Sequence, residues 1–139
     1  MSLGRRPASL ITLIISLFCS LASAAFAQGT LEERRAYATA KGMYDDGLYQ
    51  LAEQQFNLFL QRYAESDFAE EAEFLHGESL FNQQKYGQAI TSYKKLMRAY
   101  SAIDLRDKAQ FRIGQAYYYS ERYKEAASAL RQFINRYEN

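Results

Sequence analysis

The chain of 139 residues contains no tryptophan, one cysteine, one proline and one histidine. With Cys19 as the sole thiol, no disulfide can close within the chain and sites built from several thiolates are excluded. Pro7 is the sole proline, so no pyrrolidine ring interrupts a helix anywhere beyond it. His76 is the sole imidazole, which rules out a histidine cluster with metal spacing. Its neighbours put it on the packed side of a helix, where a hydrogen-bonded interior imidazole is expected rather than a catalytic base. A glycine-rich phosphate loop and a nucleophile elbow are missing as well. The reading is therefore non-enzymatic, with no catalytic residue, no cofactor and no metal.

A large charge of one sign is also lacking. Lysine and arginine number 17 against 16 aspartates and glutamates, a balance that argues against a nucleic-acid partner. The balance conceals a gradient. Residues 28–78 hold eleven acids and four bases, whereas residues 79–139 hold five acids and eleven bases. Opposed ends favour head-to-tail association, or two partners of opposite charge.

What the chain does have begins with an export segment. Arg5-Arg6 precedes an uncharged apolar run from Leu10 to Leu21, and Ala25-Phe26-Ala27 sets small residues at the positions a signal peptidase reads before Gln28. Residues 1–27 are read as a signal peptide and residues 28–139 as the mature domain. Export makes the periplasm the expected location. The alternative is an uncleaved anchor through residues 8–27, just long enough to span a bilayer. The bulky Phe18 before Cys19 speaks against lipidation at that thiol.

The mature part repeats itself at an interval of 37 residues. Tyr49, Tyr86 and Tyr123 superpose; so do Ala52, Ala89 and Ala126, then Phe59, Leu96 and Phe133, then Tyr63, Tyr100 and Tyr137. A fixed interval of this size is the signature of a solenoid. Apolar residues recur at helical spacing, and no stretch alternates strictly, so no strands are predicted. The fold class is all-α: three helix-turn-helix units, over about 31–66, 67–103 and 104–139, following the signal peptide. Predicted helices run from about Leu31 to Asp45, Tyr49 to Tyr63, Asp67 to Gln83, Tyr86 to Tyr100, Leu105 to Ser120 and Tyr123 to Tyr137. Thr30 with Glu33, and Asp67 with Glu70, have the form of capping boxes. Gly77 and Gly114 fall inside helices, where each costs about 1 kcal/mol relative to alanine. Close approach compensates: Ala40, Gly77 and Gly114 are expected to face Ala52, Ala89 and Ala126.

These marks resemble the tetratricopeptide repeat. The family pattern is a small residue midway along the first helix, a tyrosine pair after it, a tyrosine opening the second helix, an alanine three residues later and an aromatic four beyond that. Here it reads Ala40, Met43-Tyr44, Tyr49, Ala52, Phe56; then Gly77, Leu80-Phe81, Tyr86, Ala89, Tyr93; then Gly114, Tyr117-Tyr118, Tyr123, Ala126, Leu130, the last departing from the aromatic. The interval is longer than the family's usual ~34 residues, and the usual proline between units is missing. The long connection after Phe59-Leu60-Gln61-Arg62-Tyr63, together with the export signal, is similar to bacterial envelope members: the outer-membrane-assembly lipoprotein (BamD-like) and the Tol-Pal-associated periplasmic proteins.

The resemblance implies that first helices line a partner-binding groove. The positions it selects are Tyr37, Lys41, Tyr44, Phe74, Glu78, Phe81, Phe111, Gln115, Tyr118 and Tyr119, flanked by Arg34, Glu71, Asn82 and Lys108. Rigid aromatics edged by charge suit a protein or peptide partner. Phe74, Phe81 and Phe111 stand equally well as core between units. Asp67, Glu70, Glu71 and Glu73 read as a solvated capping turn rather than a cation site, and Lys94, Lys95 and Arg98 as an outer face in water rather than a contact for phosphate or anionic lipid. Leu130, Phe133 and Ile134 would be partly uncovered after the third unit, which suits a longer array or a docked partner. The functional expectation is an exported, non-catalytic adaptor in the cell envelope, reaching a membrane only through its partner or an uncleaved signal. The alternatives are a self-assembling module and the N-terminal part of a longer envelope repeat protein.

Overall fold

The computed structural model describes residues 31–101 and 103–136. The signal peptide, its alternative as an anchor, Cys19, Thr30 of the first capping box and Tyr137 lie outside the described residues. All regular structure among the described residues is helical: α1 over residues 31–45, α2 Tyr49–Arg62, α3 Ala69–Asn82, α4 Tyr86–Ala99, α5 Ile103–Tyr119 and α6 Tyr123–Asn135. None of these helices is long and apolar enough to cross a membrane.

The described residues from Arg35 onward form one compact body. Each helix packs on its neighbours in the sequence, α2 on α3, α3 on α4, α4 on α5 and α5 on α6, with a smaller contact between α3 and α5. This is the packing of a helical-hairpin solenoid, as the 37-residue interval predicts. Two apolar clusters result. The first gathers Tyr37, Ala40, Ala52, Phe56, Phe59 and Ala72. The second runs from Leu80 and Ala89 through Tyr93 and Leu96 to Ile113 and Ala126. Phe56, Tyr93 and Leu96 are wholly buried, each stabilising the fold by about 1.5–3 kcal/mol through burial alone.

The glycines work differently from the expectation. A Cβ on Gly77 would lie 2.6 Å from Cε1 of Tyr93, and one on Gly114 would lie 2.5 Å from Cδ2 of Leu130. The room is therefore made for Tyr93 and Leu130, one turn beyond Ala89 and Ala126. The second capping box is also replaced. Phe68, not Asp67, precedes α3 and makes no side-chain cap; instead the Ser66 hydroxyl accepts from the Phe68 amide at 3.0 Å. Helix α5 starts at Ile103, two residues earlier than the sequence suggests.

The hairpin turns are three copies of one backbone motif. In the first, Gly47 N–H donates to the Tyr44 carbonyl (3.0 Å) and Leu48 N–H to Met43 (2.9 Å). In the second, Gln84 and Lys85 donate to Phe81 and Leu80, both at 2.9 Å. In the third, Glu121 and Arg122 donate to Tyr118 (3.0 Å) and Tyr117 (2.9 Å). This crossed pair of bonds is the Schellman motif, which satisfies carbonyls that a helix end leaves open and requires a left-handed residue. Gly47, Gln84 and Glu121 supply it, with φ of 76°, 61° and 61°. They stand 37 residues apart.

Candidate functional site

The turn motif fixes a ring pair in every hairpin. It carries the last turn of each first helix straight onto the first residue of the second, so two aromatics meet across it edge to face. Tyr44 meets Tyr49 with centroids 5.6 Å apart at 62°, Phe81 meets Tyr86 at 5.4 Å and 73°, and Tyr118 meets Tyr123 at 5.6 Å and 66°. These are favourable quadrupolar arrangements.

Between the second and third hairpins the pairs fuse into a strip. Tyr119 stacks on Tyr86 (5.6 Å, 21°) and meets both Phe81 (5.9 Å, 77°) and Tyr118 (5.8 Å, 77°) edge-on. Phe81, Tyr86, Tyr119, Tyr118 and Tyr123 thus run continuously from α3 to α6. Tyr118 and Tyr123 are each 58% exposed and Tyr119 54%. Large rings that are both fixed and exposed give contact area at little entropic cost. The position equivalent to Tyr119 is Asn82 in the second unit and Asp45 in the first, so the strip exists only where tyrosine occupies it.

A buried charge network backs the strip. Glu78, 4% exposed, accepts from the Tyr93 hydroxyl at 2.5 Å and from Arg112 Nη2 at 2.6 Å. Arg112 also donates to Gln115 Oε1 at 3.0 Å and lies 5.0 Å from the Phe81 ring centroid. Burial and the adjacent Glu78 carboxylate push the Tyr93 hydroxyl up, keeping it protonated. Burial lowers the pKa of Arg112, but the hydrogen bond and the charge of Glu78, helped by Tyr93 and Tyr44, together outweigh this and raise it. One carboxylate thereby ties α3, α4 and α5 together; removing the arginine would leave that charge buried and unpaired.

The residues selected from the sequence do not all share one surface. Phe81, Tyr118 and Tyr119 come together at the strip, while Gln115 accepts from Arg112 and Glu78 forms an interior ion pair with that same arginine rather than a groove edge. Tyr37, 8% exposed, belongs to the core, stacked on Phe68 at 4.8 Å and 15°. Its hydroxyl makes no hydrogen bond of ordinary geometry, and burial, reinforced by the nearby Glu71 carboxylate, raises its pKa. Lys41 is held by Asp45 at 2.7 Å on the surface of α1. Tyr44 sits with Tyr49 in the first hairpin, and Phe74 lies partly buried against Tyr93 at 5.9 Å. Phe111 is exposed and faces Phe133 at 5.4 Å.

Three members of the site escaped the sequence reading. Tyr86 and Tyr123 were legible as repeated positions, but repetition alone does not separate a core ring from a surface one. Arg112 had no signal beyond its charge. Among the described residues no group of acidic, histidine or cysteine side chains could hold a metal ion.

The comparisons agree with this geometry. The family model for the tetratricopeptide repeat matches residues 71–102 and 108–139, two segments whose starts are again 37 residues apart. The second and third hairpins therefore have both the sequence pattern and the backbone of that repeat, a unit whose general role is to hold proteins together. No curated protein matches the chain.

Proposed function

We propose that this protein is an exported, non-catalytic scaffold of the bacterial cell envelope, and that a protein or peptide partner docks on the strip from Phe81 to Tyr123. The observation that carries the reading is the set of three tyrosines, 118, 119 and 123, each more than half exposed yet locked ring against ring. Aromatic anchors of this kind dominate interface energies. The envelope location rests on the signal-like first 27 residues and on the resemblance to outer-membrane-assembly and Tol-Pal-associated repeat proteins. A photo-crosslinking phenylalanine analogue at Tyr119 should give a discrete adduct in cells, and Tyr118→Ala should abolish it. An adduct pattern unchanged by Tyr118→Ala would remove the strip from the interface. For location, the mature protein should begin at Gln28 and fractionate with the periplasm; a full-length chain in the membrane fraction would favour the anchor.

Self-assembly is the second reading, favoured by Phe111 and Ile134, which stand 40% and 52% exposed, and by the opposed charges of the two halves. Light scattering across a dilution and salt series separates the two. Particles that grow with concentration and shrink with salt would favour assembly.

A further inference from the structure

The repeat builds the same cleft twice, between successive second helices, and fills it differently each time. Between α2 and α4 the cleft is lined by residues that include Glu53, Glu73, His76, Ser92 and Lys95. Its centre is an internal ion pair: Lys95 Nζ lies 2.5 Å from Glu73 Oε2, and Ser92 Oγ donates to Glu73 Oε1 at 2.8 Å. Thirty-seven residues on, between α4 and α6, the places of Glu73, His76, Ser92 and Lys95 are taken by Gln110, Ile113, Ala129 and Gln132. All four line a cleft of about 530 Å³, within the range of ligand sites. The carboxylate has gone from the interior, and cations have arrived at the edge. Lys94, Arg98 and Arg106 border this cleft where its counterpart has Asn57, Gln61 and Ala69.

Among the described residues none of these three cations has a carboxylate partner. Lys94 donates to the Tyr117 hydroxyl at 2.9 Å and lies 5.5 Å from its ring centroid. Arg106 reaches the Tyr100 carbonyl at a long 3.4 Å, and its buried Nε has no acceptor. The acid at the rim, Glu125, is already held by Arg122 at 2.8 Å. We propose that the α4–α6 cleft is a second binding site, for an acidic peptide segment of a partner protein. Its carboxylates meet Lys94, Arg98 and Arg106, supplying from outside the anion that Glu73 supplies from within in the first cleft. Its apolar side chains lie on Met97, Ile113 and Tyr117. Charge complementarity across a partly apolar floor gives both specificity and speed of association.

The test is fluorescence anisotropy of a labelled alternating Glu-Leu peptide, with a Gln-Leu peptide as control. The purified protein should bind the acidic peptide and not the control. Lys94→Ala with Arg98→Ala, both on the surface, should weaken binding roughly tenfold. A double substitution, Gln110→Glu with Gln132→Lys, transplants the ion pair of the first cleft, an arrangement this fold already holds, and should abolish binding. Tyr118→Ala should leave it unchanged, which separates this site from the aromatic strip. Equal binding of the control peptide, indifference to both double substitutions, or displacement by millimolar inorganic phosphate would overturn the proposal. So would preferential binding of phosphatidylglycerol vesicles, since the ligand chemistry would then be phosphate.

Discussion

At the scale of single residues, His76 sets a pH dependence. Its Nδ1 lies 3.1 Å from the Ser92 hydroxyl, and burial lowers its pKa below the ordinary 6.5, with Glu73 and Glu53 opposing part of the effect. The folded protein therefore resists a proton that the unfolded chain accepts. Stability is fully present above pH 6.5 and falls as the pH drops through that value toward the folded pKa, because the unfolded state binds more protons in that window. Melting temperature should decline between pH 7.5 and 5.5, and His76→Gln should flatten that decline. A profile equally steep in the variant would assign it to other groups. Glu53 acts lower down. Its own burial raises its pKa, but hydrogen bonds from Lys85 and Gln83 more than reverse this and leave it below 4.5. Its contribution is present above pH 4.5 and disappears as acid protonates it.

At the scale of the element, the hairpin is governed by its interior glycine and its left-handed turn residue. Gly77→Ala drives a methyl to within 2.6 Å of the Tyr93 ring, which is buried and tied by its hydroxyl to Glu78. Gly114→Ala places a methyl 2.5 Å from Cδ2 and 2.6 Å from Cγ of Leu130, so the whole Leu130 side chain must shift, but Leu130 is partly exposed and has no hydrogen bond to hold it. The first substitution should cost about 1–3 kcal/mol as an overpacked core does. The second should cost less, since Leu130 is freer to shift than Tyr93 and alanine recovers about 1 kcal/mol of helix propensity. Chemical denaturation of the two variants measures the difference, and equal losses would refute the role given to Tyr93. At the turns, Gln84 and Glu121 hold a conformation that costs ordinary residues about 1–2 kcal/mol. Gln84→Gly and Glu121→Gly should each therefore raise the denaturation midpoint, by an amount matching a gain of up to ~1 kcal/mol.

These same features show what could be read in advance. The helices and their pairing were legible because apolar residues recur with helical spacing and the tyrosines with the repeat. Turn type was not, because Gln84 and Glu121 carry no preference for positive φ; only Gly47 signals it. Nor was the ion pair of Glu78 with Arg112, 34 positions apart, since no local pattern links an acid on one helix to a base two helices on. Tyr119 was selected as a groove residue, but its stacking on Tyr86 depends on how adjacent hairpins are rotated, which is a tertiary property.

For the molecule as a whole, contacts run chiefly from each helix to its immediate neighbours, with α3 and α5 also joined, so stability is close to a sum over hairpins and their interfaces. The interior of the array is better covered than its last helix. Helix α3 buries seven residues, among them Glu73, Glu78 and Leu80, whereas α6 buries Ala126 and Ala129 alone. Amide exchange should consequently be slowest in α3 and α4 and fastest in α6, spanning local to global opening free energies. Protection in α6 equal to that in α3 would indicate that a partner or a second copy covers it under the conditions used. The charge gradient acts at this scale too, and falls away beyond a Debye length of roughly 8 Å in physiological salt.

The three left-handed turns carry an evolutionary consequence. Because each is set by main-chain bonds and repeats at the period of the sequence, a tandem duplication of one period inserts a hairpin without altering the geometry on either side. A lineage can thus lengthen or shorten the array in whole steps. A single substitution of Asn82 to tyrosine would then decide whether the junction between the first two hairpins, at Tyr49, acquires an aromatic strip of its own.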